Sequence, residues 1–134
     1  MAIKTKKISK FVLADQELLL DGKRLLIAVD SHWAKFHKMP FDEHVPILGP
    51  SKELWKAYIK DKQITWEEYE LRFKDEIAKR KDAQEIMKEL ANKYANSETE
   101  HVTLLCYCKD ERYCHRRVVK EMILSINESI NRII

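Results

Sequence analysis

Short apolar runs alternate along this chain with stretches in which apolar residues recur every three to four positions, the pattern of strands separated by amphipathic helices. Ile3 to Leu13 reads as a first strand, broken by lysines. After the turn residues Asp21-Gly22, the run Arg24-Leu-Leu-Ile-Ala-Val-Asp30 is nearly continuous and apolar, which suits a strand covered on both faces. Ser31 to Pro50 reads as a loop, because it holds all three prolines, one glycine and three of the five histidines. Ser51 then offers an N-cap for a short helix with Leu54, Trp55, Tyr58 and Ile59 on one face. Thr65-Trp-Glu-Glu68 is a capping box opening a helix with Trp66, Tyr69, Phe73 and Ile77 along its stripe. A third helix is expected from Asp82, with Glu85 at N3 and Ala83, Ile86, Met87, Leu90 and Tyr94 buried. His101 to Tyr107 reads as a strand. From about Cys114, Val118, Val119, Met122, Ile123 and Ile126 repeat with helical period.

This order predicts an α/β fold, a small, partly parallel sheet with helices packed on it, in a single compact domain over residues 1–134. The aromatic and methionine stripes are read as core. Length and composition agree, since 134 residues with 45% hydrophobic and 35% charged content suit one globular domain. No apolar run reaches the roughly 18 residues of a membrane span, and Lys4, Lys6, Lys7 and Lys10 leave no signal-peptide core, so a cytoplasmic protein with no membrane partner is expected.

Charge changes the picture at one end only. The net charge of +3 is carried by residues 1–24, where six Lys/Arg face three Asp/Glu, while the rest of the chain balances. A basic strand can lie along a phosphate backbone, but no stacking platform or recognition-helix pattern accompanies it. A solvated edge strand guarded by lysines is the preferred reading, with nucleic-acid or protein binding as the alternative.

The chemistry gathers in one segment. Val102 to Arg117 holds every cysteine, Cys106, Cys108 and Cys114, and reads as a buried strand, a short charged loop and the first turn of a helix. Backbone N–H groups and the helix dipole meet anions in this geometry. His115, Arg116 and Arg117 would sit in that first turn, where cations are unfavourable against the dipole unless they share a negative partner. The partner is a phosphate or carboxylate ligand, or an internal acid such as Asp110, Glu111 or Asp30. In open α/β sheets ligands bind beyond the carboxyl ends of the strands, so Asp30 to Trp33 and Cys106 to Arg116 border one crevice if their strands are parallel neighbours. The anion-binding candidates are therefore His115, Arg116, Arg117, Asp30 and His32.

Four segments together resemble the domain of unknown function 488 family, in particular its short YeaO-like members. These are Arg24 to Asp30 with Trp33, Leu48-Gly-Pro50-Ser51-Lys-Glu-Leu54, Thr65-Trp-Glu-Glu-Tyr69, and Leu104-Leu-Cys106 ending in Cys114-His115-Arg116. The resemblance covers nearly the whole chain and implies a compact α/β fold without a settled activity. Relatives carry an arginine just after the strand aspartate, whereas Asp30 is followed here by Ser31, His32 and Trp33. Of the implied two-arginine clamp only Arg116 matches, with His32 or Arg112 as stand-ins.

A thiol-dependent enzyme is the further alternative. Cys106 and Arg112 have the C-x5-R spacing of tyrosine-phosphatase-like enzymes, but the loop between them has no glycine and carries Asp110 and Glu111, which repel a phosphate. Cys106, Cys108, Cys114 and His115 make a C-x-C-x5-C-H set. Its spacing is no standard zinc pattern, and adjacent Cys114 and His115 rarely reach one ion, so neither metal nor cofactor is assigned. A redox pair joining Cys114 to Cys106 or Cys108 ranks with it, and a buried cysteine serving only as a small hydrophobe ranks above both. His32, His37 and His44 match no catalytic spacing with Asp42 and Glu43, and packing or surface roles are preferred for them. No pattern specifies an oligomeric state.

Overall fold

The computed structural model describes residues 3–9, 20–108 and 110–133. Four parallel strands form one sheet in the order β1-β4-β2-β3: β1 (Ile3–Lys7), β2 (Lys23–Leu26), β3 (Glu43–His44) and β4 (Val102–Cys106). The sheet is thus entirely parallel among the described residues. Among the described residues, helices α1 (His32–Phe36), α2 (Lys52–Trp55), α3 (Trp66–Lys79), α4 (Lys81–Tyr94) and α5 (His115–Ile133) pack on it. The α/β expectation holds. No helix among the described residues is long and apolar enough to cross a membrane.

β4 is the central strand and every residue in it is buried, as a parallel strand covered on both faces requires. Leu104 aligns with Thr5 of β1 and Leu25 of β2, and this register carries Cys106 level with Lys7 at the carboxyl end. Side chains alternate between two apolar clusters. Leu25, Ile27, Val102 and Leu104 join Phe73, Ile77, Met87, Val118 and Ile123 in the larger one. Leu26, Ala28 and Leu105 join Ile8, Ala34, Cys106 and Cys114 in the smaller.

The amino ends of the strands are held by a buried ion cluster. Asp21 and Arg24, 1% and 4% exposed, form an ion pair, and Lys6 Nζ lies 2.6 Å from Asp21 Oδ1. Arg24 Nε also donates to Pro40 O at 3.1 Å, and Thr103 Oγ1 donates to Asp21 O at 2.8 Å. Gly22 turns the chain beside them with φ +65, and a Cβ there would stand 2.1 Å from His101 O, so only glycine fits.

Several boundaries differ from the sequence reading. β1 ends at Lys7, and the rest of the expected strand, Lys10 to Leu13, lies outside the described residues. β2 ends at Leu26, short of Asp30. The segment 31–50 is not a plain loop: it contains α1, β3 and a 3-10 turn, Pro46–Leu48. Its backbone is satisfied by the sheet, with Val45 N donating to Leu26 O. α4 starts at Lys81 and not Asp82, and its N-cap residue Arg80 makes no side-chain cap. That guanidinium is engaged instead by the carbonyls of Ile47 and Gly49, at 2.9 and 2.6 Å. The caps at Ser51 and Thr65 are as expected, accepting from Leu54 N and Glu68 N at 3.2 Å each.

Candidate functional site

The carboxyl ends of β2 and β4 and the start of α5 meet around a cavity of about 290 Å³. Its floor is made of Ala28, Cys106, Cys108, Cys114 and His115, and Asp30 stands at its edge. β2 and β4 are parallel neighbours, so the cavity lies where an open α/β sheet binds its ligands. Tyr107 ties the two strand ends together: its hydroxyl donates to Asp30 O at 3.1 Å and accepts from Ala34 N at 3.2 Å.

His115 organises the floor. Its ring is 4% exposed, edge-on to Phe73 at 5.6 Å, and Nε2 sits 2.8 Å from Ile27 O. A carbonyl oxygen only accepts, so Nε2 carries a proton and Nδ1 is the ring nitrogen turned toward the thiols. Cys106 Sγ is 3.8 Å from that nitrogen and Cys114 Sγ 3.9 Å. Cys108 Sγ is 3.9 Å from Cys106 Sγ. Cys108 is half-buried, and its thiol is lowered to about 3 by hydrogen bonds from Cys106 and Cys114, helped by His115 and Arg116. Donating to Cys108 pushes Cys106 up to about 12, and hydrogen bonds to Cys106 first and Cys108 second raise Cys114, with burial acting in the same direction on both. All three cysteines are free.

One wall of the cavity comes from α2 and the wider π-helical turn that continues it, Lys56–Lys60. Trp55, Tyr58 and Ile59 face the cavity, and Tyr58 stacks on Tyr69 at 4.5 Å. Tyr113 and Tyr107 close the other sides. Lys52, Lys56 and Lys60 also line it, spaced at four-residue intervals that bring them to one side of the helix. None of the three makes an ion pair among the described residues, whereas lysines elsewhere on α3 do, as in Lys74–Glu70 and Lys79–Asp75. The apolar spacing of this segment predicts core packing for the wall. That holds for Leu54, which is buried, and for Tyr58, which packs against the core, and is corrected for Trp55 and Ile59, each 40% exposed.

The residues singled out by sequence divide into three groups. His115, Asp30 and the three cysteines line the cavity. Arg116 lies beneath it, 3% exposed, with Nη1 donating to Cys108 O at 2.7 Å and Nε buried without a hydrogen-bond partner among the described residues. Arg117 and His32 stand away from it. Arg117 pairs with Glu121 at 2.8 Å and Glu70 at 3.7 Å, and covers Trp66. His32 is exposed, and only its backbone N–H bonds Asp30 Oδ1, at 3.1 Å. Arg112 pairs with Asp110 in the loop. The other histidines pack: His37 lies 4.1 Å from the Trp33 ring, and His44 Nε2 is 2.9 Å from Ala28 O.

Sequence reasoning missed the lysines and aromatics of the wall. The signal was present as Lys52-x3-Lys56-x3-Lys60, a helical row of like charge, with Glu53 the one acid at pairing distance in sequence from it. Against known proteins, the DUF488-N3a family model, described as the active DUF488-N3 subclade, matches residues 12–127. No curated protein and no solved structure matches the chain.

Proposed function

We propose, on the premise that this chain belongs to the DUF488 family, that its cavity takes a small phosphorylated or carboxylated ligand carrying a planar ring. The observation that carries this reading is the row Lys52, Lys56 and Lys60, three cations with no carboxylate partner among the described residues, on one wall of a cavity otherwise walled by Trp55, Tyr58, Tyr107 and Tyr113. The aromatic rings offer stacking and apolar contact, and the lysines compensate an anion's charge at the rim. The start of the 19-residue α5 adds the positive end of its dipole at the floor.

This moves the anion contacts from the Cys-His-Arg turn to the lysine row. Arg116 keeps a supporting part, because it holds the Cys108 carbonyl and so the shape of the floor. The description of the matching branch as active supports chemistry at this site in addition to binding. The groups that would perform it are the thiols, with Cys108 the most accessible of the three.

Thermal unfolding in the presence of nucleoside monophosphates, aromatic carboxylates and inorganic phosphate tests the reading. Ring-bearing anions should raise the melting temperature in proportion to the logarithm of their concentration, and Lys52→Ala/Lys56→Ala/Lys60→Ala should abolish the rise without changing the melting temperature of the free protein. A panel in which no anion stabilises the wild type, or in which the triple variant responds equally, defeats it.

A further inference from the structure

The floor of the cavity holds a second arrangement that does not depend on the ligand. We propose that Cys106, Cys114 and His115 form a three-ligand site for a borderline divalent metal, zinc above all, with the fourth position open to the cavity beside Cys108. The argument is geometric. Cys106 Sγ, Cys114 Sγ and His115 Nδ1 all lie within 4.8 Å of one another, and all three residues are buried. Tetrahedral zinc with Zn–S of about 2.3 Å and Zn–N of about 2.0–2.1 Å needs sulfur–nitrogen separations of about 3.5 Å and a sulfur–sulfur separation of about 3.8 Å. The sulfur–nitrogen distances of 3.8 and 3.9 Å are a few tenths longer, within the reach of small side-chain rotations.

The imidazole is prepared for the task. Ligating histidines generally donate their second ring N–H to a carboxylate or a backbone carbonyl, which sets the tautomer and the plane of the ring. Here Ile27 O takes Nε2–H at 2.8 Å, and Nδ1 is the nitrogen aimed at the sulfurs. Gly49 leaves room for that carbonyl, because a Cβ there would stand 2.4 Å from Ile27 O.

Donor chemistry narrows the ion. Two thiolates and an imidazole select zinc over the hard, oxygen-seeking magnesium and calcium. Two thiolates around a dication also leave no net charge in a buried place. Neighbouring Cys114 and His115, expected from spacing alone rarely to share an ion, bring their donor atoms within 3.9 Å of each other for a specific reason. Cys114 is still extended, with φ −134 and ψ 140, at the junction between the Glu111–Tyr113 3-10 turn and α5, and across that change of backbone direction the two side chains converge. The three-ligand, one-open-position arrangement is that of catalytic zinc sites, not of closed structural ones.

Titration of the metal-free full chain, without a histidine tag and under a non-thiol reductant, with cobalt(II) as the probe tests this. One equivalent should give the sulfur-to-cobalt charge-transfer absorption and the intense visible bands of a tetrahedral site, zinc should displace it, and zinc should raise the melting temperature. Cys106→Ser and Cys114→Ser should lose saturable binding, whereas Cys108→Ser should keep one equivalent and its spectrum. If either of the first two variants fails to fold, the wild-type titration decides. No saturable spectrum at equimolar cobalt overturns the site, as does unchanged binding by Cys106→Ser or Cys114→Ser. Loss of binding in Cys108→Ser overturns the three-ligand assignment.

Discussion

His115 Nε2 and Ile27 O, 88 positions apart in sequence, are joined at 2.8 Å across the floor of the cavity. The bond connects the first turn of α5 to the end of β2, and it decides which nitrogen faces the cysteines. Replacing His115 by Phe keeps the ring contact with Phe73 and strands a buried acceptor. We expect His115→Phe to destabilise the protein by about 1–3 kcal/mol, read as a lower urea midpoint at unchanged slope. An unchanged midpoint would mean that the bond contributes nothing net.

Gly49→Ala isolates the same carbonyl from the other side. Gly49 has φ −104 and ψ 176, which alanine adopts without strain, so the substitution is opposed by contacts, chiefly the 2.4 Å approach to Ile27 O and then the 3.3 Å approach to Pro46 O. A loss of about 1–3 kcal/mol is expected from the forced backbone shift. It should be accompanied by displaced His115 ring resonances in NMR spectra, and a variant as stable as wild type with an unmoved ring would contradict the packing described.

Asp21→Ala should be the most damaging change far from the cavity. It leaves Arg24, 4% exposed, without its carboxylate. Breaking a buried pair by removing one partner costs about 3–5 kcal/mol, which chemical denaturation would detect directly. A loss below about 1 kcal/mol would show that Arg24 is adequately held by Pro40 O alone.

The three thiols should alkylate in a fixed order. Cys106 and Cys114 are 3% and 1% exposed, while Cys108 is half-buried on the cavity. In metal-free native protein, a limiting dose of iodoacetamide should modify Cys108 alone by peptide mass spectrometry, with Cys106 and Cys114 labelled only in urea. Equal labelling of the three under native conditions would refute the burial order.

The parts of the structure decided within a few residues were legible in the chain. The alternation of strand and helix, the Ser51 and Thr65 caps and the gathering of cysteines at and after the end of β4 all follow from local pattern. What was not legible depends on residues distant in sequence. Arg80 looks like a poor N-cap until Ile47 and Gly49 arrive to occupy it. The segment 31–50 looks like a loop because its hydrogen-bond partners are in β2. Trp55 and Tyr58 carry the periodicity of a core stripe, and only the cavity beside them makes them a wall. Arg116 and Arg117 are neighbours with identical side chains. The helical turn sends one under the floor and the other out to Glu121.

The cavity's two sides are anchored very differently. The cysteines and His115 are locked to the register of the central strands. The segment from Lys52 to Lys60 contributes one buried side chain, Leu54, and is otherwise attached by the Tyr58–Tyr69 stack and the Ser51–Glu76 bonds at its start. Under the proposed function, selectivity and reactivity are therefore separable traits. A lineage, or a designer, can rewrite the short helix to admit a different molecule while the sulfur cluster keeps its geometry, whereas no comparable freedom exists on the sheet side.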